Sequence, residues 1–311
     1  MIRIGPFALT KRVVNRNLYL GIAFILTAGV LWGAMGTAVQ YLYAVPSGFS
    51  AISLVTLRQL SAGVVFLAAA SLFDARRIWS VLRNKRDAFD IALSGVLLFS
   101  AHHAFFEAIF YSNAGTAAIF LATVPLLCGL WSTVRHGKTM TMLELLCFVL
   151  AIAGVALIVT DGDWKTLQFS PWALFWGMVS AIAAAAYSIQ PLAVIARRGV
   201  GPVVAWGMLT AGIVASILCP PWTIKVAWDA AVAANFGYIV LFGTVLAFWA
   251  YLSGLKYITP VIAGLLNCAE PLTAFLFSAL LLGDRLSFMQ SLGVALVLGN
   301  IVLLALGKSR R

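Results

Sequence analysis

The chain has 311 residues, of which 62% are hydrophobic and only 10% are charged, and its net charge at neutral pH is +11. This balance excludes an ordinary soluble domain, which is about half apolar and about one quarter charged. It also argues against a nucleic-acid partner, because the basic residues lie in short connections between apolar segments and not on one hydrophilic domain.

Ten apolar segments are long enough to cross the hydrocarbon core of a bilayer, for which about 20 residues suffice. In chain order, predicted spans 1 to 10 are residues 18–43, 50–72, 89–111, 114–134, 142–160, 172–195, 203–220, 235–256, 260–282 and 286–306. Residues 1–17 contain four basic residues, and no small-residue cleavage site follows them. We interpret this segment as a retained cytoplasmic tail, with an interfacial amphipathic helix as the alternative.

The distribution of Lys and Arg predicts the orientation of the spans. Seventeen of the 21 Lys and Arg residues occupy the N-terminal tail, the C-terminus and every second connection. Cytoplasmic connections of membrane proteins carry such an excess of basic residues. The sequence therefore predicts a multi-pass protein of the cell (inner) membrane, surrounded by lipid bilayer, with both termini in the cytoplasm.

The chain contains the same apolar unit twice. Residues 257–305 align with residues 111–159 at a constant offset of 146, which places Pro271 on Pro125 and Gly283 on Gly137. Each copy holds five predicted spans, and because five is odd the second copy crosses the membrane in the opposite sense. We predict two inverted five-helix repeats around a central cavity. The predicted segments are the tail 1–17, the first repeat 18–160, an extracytoplasmic linker 161–171, the second repeat 172–306 and a basic cytoplasmic C-terminus 307–311.

The second copy carries a distinctive motif: an apolar helix with a central proline, then Gly-acidic-x-Leu-Ser, then a glycine-rich helix. In residues 269–305 it reads AEPLTAFLFSALLLGDRLSFMQSLGVALVLGNIVLLA. Together with Arg58 in span 2, this pattern resembles the tandem EamA-domain proteins of the drug/metabolite transporter superfamily, over roughly residues 20–306. The first copy departs from the motif, because Lys138 stands where the family usually has an acidic residue.

The resemblance implies a ten-helix bundle in which helices 3, 4, 8 and 9 line a central cavity. Helices 1, 2, 6 and 7 would enclose the cavity, and helices 5 and 10 would lie at the periphery. It also implies a small-molecule substrate, since characterised relatives move small organic metabolites, often amino acids and especially aromatic ones, or amphipathic cations. Their transport is usually outward.

Polar side chains within the spans are the candidate site residues, because a charge in hydrocarbon costs about 2.5–3.5 kcal/mol on insertion scales. His103 and Glu107 lie one turn apart on span 3, and the offset of 146 places Trp249 of span 8 opposite His103. We predict that these three residues bind substrate, with an ionisable side and an aromatic side. The alternatives are a His103 that satisfies a neighbouring helix, a Glu107 that neutralises Arg58, and a metal site with His102, which lacks further histidines.

Arg58 lies at a depth in span 2 similar to that of His103 in span 3. It is suited to bind a substrate carboxylate through two parallel hydrogen bonds. Its equivalent in the second copy is Gly207, at an offset of 149, so only the first copy carries this charge. The alternative is a structural ion pair within the bundle.

Span 9 combines an acid, an amide and a proline. Glu270 directly precedes Pro271, and Asn267 lies one turn earlier. We predict that Glu270 and Asn267 bind substrate and that Glu270 is a candidate proton relay, which makes protons a candidate coupling ion. The alternative role of Glu270 is a hydrogen-bonded strut. Pro125 and Pro271 are interpreted as gating kinks, since proline removes a backbone hydrogen bond, although membrane helices also tolerate proline.

Two aromatic residues complete the predicted substrate site. Trp32 of span 1 and Tyr187 of span 6 are predicted to wall an apolar pocket, with simple helix packing as the alternative. The sequence has neither a GxxxxGK[ST] nucleotide-binding motif nor a GxSxG serine or metal-binding histidine set. We therefore predict a secondary transporter with no cofactor, metal or catalytic residue, which exports small amino-acid-like metabolites. An exporter of amphipathic drugs or organic cations, and a channel-like facilitator, are the alternatives.

Overall fold

The computed structural model describes residues 6–112, 114–167, 170–270, 272–273, 277 and 287–309, and no β-strand occurs in these ranges. The helices are α1 (Pro6–Ala44), α2 (Ala51–Ser80), α3 (Lys85–Phe110), α4 (Ala114–Leu121), α5 (Val124–His136), α6 (Met142–Thr160), α7 (Pro171–Ile189), α8 (Leu192–Arg198), α9 (Val200–Leu218), α10 (Ala230–Val240), α11 (Ala247–Gly254), α12 (Pro260–Asn267) and α13 (Phe288–Ser309).

Nine helical stretches of the described residues are long and apolar enough to cross a membrane, and they correspond to predicted spans 1 to 8 and 10. Span 9 begins as α12 and continues with helical residues 269–270 and 272–273. The prediction of an all-α protein with ten spans is therefore confirmed. Five spans precede the linker and five follow it, so the two repeats have opposite orientations.

Two helices extend beyond the predicted spans at one end of the bundle. Helix α1 begins at Pro6, so residues 6–17 of the predicted tail continue the first helix. Helix α2 begins at the N-cap Ser50, whose side chain and that of Ser53 cap each other's backbone N–H groups. It changes direction at Asp74, where φ is −154° and ψ is 68°, and its last turns form a short arm outside span 2.

Spans 4 and 9 are both interrupted at equivalent positions. Helix α4 ends at Leu121 and α5 begins at Val124, so Pro125 lies in the first turn of α5, where its missing N–H costs no hydrogen bond. In span 9, α12 ends before a turn at Cys268, and the helix resumes at residue 269. Pro271 lies outside the described residues. A Cβ atom on Gly264 of α12 would lie 3.0 Å from Cγ of Pro125, so the two interrupted spans meet closely.

Span 8 contains a π-helical turn between α10 and α11. Residues Leu241–Leu246 form this wider turn, and the Thr244 hydroxyl donates to the Ile239 carbonyl at 2.7 Å. Gly243 lies within it, and a Cβ atom there would lie only 2.5 Å from Sδ of Met35 on α1. The glycine therefore allows α1 to approach span 8 closely. π-helical turns occur frequently at functional sites.

Candidate substrate cavity

A cavity of about 170 Å³ lies between the two repeats. Spans 1, 2, 3, 4, 6, 8 and 9 contribute its walls, including both interrupted spans through Leu121, Val124 and Gly264. Small-ligand sites usually measure about 300–1,000 Å³, so this cavity suits only a compact molecule. Transporters built from inverted repeats commonly bind substrate between the repeats, beside interrupted helices.

Aromatic rings form one wall of the cavity. Trp32 lies with its ring centre 4.9 Å from that of Phe248 and 5.5 Å from that of Tyr251. Tyr187 contacts Phe248 edge-on at 6.0 Å. Within this wall, the hydroxyl groups of Tyr251 and Ser188 are hydrogen-bonded at 2.7 Å. The wall is therefore apolar with one paired polar site, which fits an apolar side chain of a ligand.

Arg58 supplies a cation with unused donors. The residue is 2% exposed, and its Nη1 donates to Sδ of Met35 at 3.5 Å. A thioether sulfur is a weak acceptor. The Nε and Nη2 atoms of Arg58 have no hydrogen-bond partner among the described residues. Glu107, the alternative partner predicted for it, instead lies beside His103. A buried guanidinium with free donors is chemically suited to bind an anionic group.

The acid and the amide of span 9 lie together at another part of the wall. The Asn267 Nδ2 group donates to Oε2 of Glu270 at 3.3 Å, and both residues line the cavity. The Oδ1 atom of Asn267 is buried and has no hydrogen-bond partner among the described residues. The pair therefore offers acceptor oxygens to a ligand that carries N–H or O–H donors.

His102 is a cavity residue that sequence reasoning did not select. Its Nδ1 atom lies 2.9 Å from the Leu98 carbonyl and 3.2 Å from Nε2 of Gln59. Because the carbonyl can only accept, Nδ1 carries a proton in this arrangement, and the Gln59 amide is better placed with its oxygen toward the ring. The neutral imidazole then has its acceptor at Nε2.

Five of the eight predicted substrate-binding residues line the cavity, and three do not. Those in the wall are Trp32, Arg58, Tyr187, Asn267 and Glu270; those outside it are His103, Glu107 and Trp249. The imidazole Nε2 of His103 lies 3.9 Å from Oε1 of Glu107, as their spacing predicted, but its ring stacks on Phe99. Trp249 is 37% exposed and contacts Phe24 of α1.

For both His103 and Trp249, the residue that faces the cavity is the one directly before it in the sequence. His102 and Phe248 lie in the cavity wall, with their ring centres 5.5 Å apart, and the same offset of 146 relates them. One residue turns an α-helix by about 100°. An imidazole therefore does face an aromatic ring across the pseudo-symmetry axis, one position earlier than predicted. Each histidine has an alanine neighbour, Ala101 before His102 and Ala104 after His103, so the sequence itself does not favour either one.

The family model described as the EamA-like transporter family matches the chain twice, over residues 19–160 and 171–306. This chain belongs to the EamA-like transporter family. The drug/metabolite transporter resemblance is thereby confirmed, and the chain is a membrane transporter built of two EamA domains in tandem.

Relatives of this EamA-like transporter match most of its length. The inner membrane transporter YicL of Salmonella typhimurium, named as uncharacterized, is 34% identical over 292 residues, which cover 94% of this chain and 97% of YicL. YedA of Escherichia coli K12, also named an uncharacterized inner membrane transporter, is 28% identical and covers 80% of this chain and 82% of its own length. A solved crystal structure of a protein has the same fold, with a TM-score of 0.76 and 21% sequence identity. The match covers 93% of this chain and 98% of that chain.

The arrangement of the spans in this EamA-like transporter follows the resemblance in outline. Spans 3, 4, 8 and 9 line the cavity, and spans 1, 2 and 6 also contribute side chains to it. Helices α6 and α13, which are spans 5 and 10, pack on each other away from the cavity. A Cβ atom on Gly293 of α13 would lie 2.7 Å from the Gly154 carbonyl of α6, so these two helices are in backbone contact.

The neighbouring aromatic residues of span 8 provide a matched test of this EamA-like cavity. We expect Phe248→Ala to weaken the apparent substrate affinity by about tenfold, because it removes the ring that contacts Trp32 and Tyr187. Trp249→Ala, one residue away and outside the cavity, should change it by less than about twofold. The measurement is substrate-induced thermal stabilisation of the purified variants. Equal losses in both variants would contradict this placement of the cavity wall.

Proposed function

We propose that this transporter exports small amino-acid-like metabolites across the inner membrane by alternating access. The observation that carries the proposal is the presence in one aromatic-walled cavity of a guanidinium with free donors and of a carboxylate. These groups are Arg58 and Glu270. A compact zwitterion with an apolar side chain satisfies all three parts of the wall.

Each part of the cavity has a corresponding group on such a substrate. The substrate carboxylate accepts two parallel hydrogen bonds from Nε and Nη2 of Arg58, which is the geometry in which guanidinium binds carboxylate best. The ammonium group donates to Glu270 and to the free Oδ1 of Asn267. The side chain packs on Trp32 and Phe248.

The inverted repeats supply the means of transport. Two similar halves with opposite orientations can exchange conformations, so that the cavity opens first to one side and then to the other. The interruptions of spans 4 and 9 lie beside the cavity, which supports a gating role for Pro125 and Pro271. The resemblance to characterised relatives supports the outward direction, and the distribution of Lys and Arg supports a cytoplasmic position for both termini. Glu270 is the candidate site for proton coupling.

An exporter of amphipathic organic cations is the second candidate. Glu270 and the aromatic wall favour it, since both attract a cation. Arg58 in the same wall disfavours it, because its positive charge repels a cationic substrate in a low-dielectric cavity.

Purified protein in liposomes distinguishes these candidates. We expect neutral amino acids with apolar side chains to show saturable uptake and acceleration by unlabelled substrate on the opposite side, compared with liposomes that lack protein. Saturable exchange of organic cations without exchange of zwitterions would replace the proposal by the second candidate. Flux that rises linearly with concentration and shows no counterflow would indicate a channel-like facilitator.

A further inference from the structure

Four charged side chains connect α3 to the end of span 6 at the basic end of the bundle. Nε of Arg197 donates to Oδ1 of Asp87 at 2.9 Å, and its Nη2 donates to Oδ2 of Asp90 at 2.6 Å. Nε of Arg198 donates to Oδ2 of Asp87 at 2.5 Å. Both carboxylate oxygens of Asp87 are therefore used, and two aspartates balance two arginines.

The position of Asp87 at the centre of this network indicates that the network holds the two spans together. Asp87 is 2% exposed beside its two arginine partners, and a carboxylate with so little contact with water requires charged partners. The backbone reinforces the junction, because Nε2 of Gln190 donates to the Asp90 carbonyl at 2.8 Å. Nε of Arg77, on the arm of α2, donates to the Arg198 carbonyl at 2.9 Å. About 16 Å of helix separates Asp87 from Leu98 in the cavity wall, at 1.5 Å per residue.

Aromatic rings pack together at the opposite end of the bundle. Phe49, in the connection between α1 and α2, stacks on Phe236 of α10 at 5.7 Å, and both rings contact Trp228 edge-on. One backbone hydrogen bond of 2.9 Å, from the Ala227 N–H to the Ser47 carbonyl, joins the same two segments. The described residues of this junction contribute no ion pair.

The two junctions occupy equivalent places in the two repeats. Ser50 is the N-cap of α2 and Gly199 is the N-cap of α9, at the offset of 149 that relates spans 2 and 7. Phe49 and Arg198 directly precede these caps. Spans 3 and 8 are also equivalent in the two repeats. Arg198 contacts the first turn of the helix of span 3, and Phe49 contacts the first turns of the helix of span 8. The same place in the repeat is therefore an ionic junction at one end of the bundle and an aromatic junction at the other.

We propose that Asp87, Asp90, Arg197 and Arg198 form an ionic latch that closes the basic end of the cavity, with Phe49, Trp228 and Phe236 as its apolar counterpart at the other end. This inference depends on transport by alternating access, but not on the identity of the substrate. The latch must separate when the cavity opens toward the basic end, and the aromatic junction must separate when it opens the other way. The two openings then differ in chemistry, because added salt screens the ion pairs of the latch and leaves the apolar contacts of the aromatic junction intact.

Accessibility of a cysteine in the cavity tests the latch without any substrate. Ala184→Cys supplies the reporter in the cavity wall, after the four native cysteines (Cys128, Cys147, Cys219 and Cys268) have been replaced by serine or alanine. A membrane-impermeant thiol reagent is applied to vesicles of each orientation. We expect Asp87→Asn and Arg198→Gln each to raise the labelling rate about tenfold from the basic end only, as expected when a charge-assisted hydrogen bond is lost from one of two states. About 1 M potassium chloride should act in the same way on the unmodified latch.

Two controls make the result specific. Arg86→Gln removes an exposed charge from the same end of α3 outside the latch and should leave labelling unchanged. Phe49→Ala should raise labelling from the opposite side only. Combining Asp87→Asn with Arg198→Gln should have little more effect than Asp87→Asn alone, because that change already removes the charged partner of Arg198. If labelling is unchanged in both single variants, or rises equally from both sides, the latch is refuted; failure of amino-acid flux alone refutes only the proposed substrate.

Discussion

Replacement of Arg58 by methionine is expected to lower amino-acid flux, measured as kcat/KM, by roughly 30- to 150-fold, the range that loss of charge-assisted hydrogen bonds produces. Methionine keeps much of the side-chain volume and removes the only cation in the cavity wall described by the structure. Arg58→Lys keeps the charge but loses the planar pair of donors, so we expect it to retain intermediate activity. Initial rates of uptake into proteoliposomes, at matched protein content, are the measurement.

The same substitution separates a binding role for Arg58 from a structural one. Its Nε and Nη2 atoms are buried without partners, so their removal should leave the midpoint of thermal unfolding in detergent unchanged or raise it. A structural arginine that anchors an ion pair would instead make the variant less stable by about 3–5 kcal/mol. Lost flux with unchanged stability supports the carboxylate site. Lost stability with unchanged flux per folded molecule would contradict it.

Glu270→Gln is expected to reduce flux of zwitterions by roughly 10- to 100-fold, because the amide cannot balance the charge of a substrate ammonium group. Glu107→Gln is the matched control. It makes the same chemical change in a residue that lies outside the cavity beside His103, and we expect at least about half of the wild-type flux. Proteoliposome uptake of a neutral amino acid and of its deaminated analogue is the measurement.

The analogue decides how Glu270 acts. A substrate without an ammonium group should be affected much less by Glu270→Gln than the amino acid itself. If both lose activity equally, Glu270 does not bind the ammonium group, and a coupling role or a structural role becomes the better explanation. Loss of activity in Glu107→Gln as well would move the predicted site toward the His103 face of α3.

The number and order of the spans were predictable because they depend on apolar length, which each segment carries by itself. The internal repeat was equally visible, because a single offset aligns Pro125 with Pro271 and Gly137 with Gly283. The interruption of span 4 lies beside Pro125, which the sequence marked as a kink, whereas the π-helical turn of span 8 was not visible in the sequence. That turn lies against Met35 at Gly243, and this contact joins segments that lie far apart in sequence.

The candidate site was predictable by residue type more than by helix rotation. Arg58, Asn267 and Glu270 stand out in an apolar chain, and the structure places all three in the cavity wall, while their roles in binding stay predictions. In span 3, two adjacent histidines were equivalent by type, and only packing against other helices shows which one faces inward. Arg197 was interpreted only as a topology signal, since its pairing with Asp87 joins residues 110 positions apart.

The two charges of the cavity come from different halves of the molecule. Arg58 belongs to the first repeat, where its equivalent in the second is Gly207, and Glu270 belongs to the second repeat, where its equivalent in the first is Val124. A zwitterion bound by both Arg58 and Glu270 would therefore link the two repeats. Relative motion of the two repeats must change the distance between Arg58 and Glu270, so a substrate of the wrong length would oppose the conformational change. A simple cation, bound only by Glu270 of the second repeat, would not be affected by that change in distance.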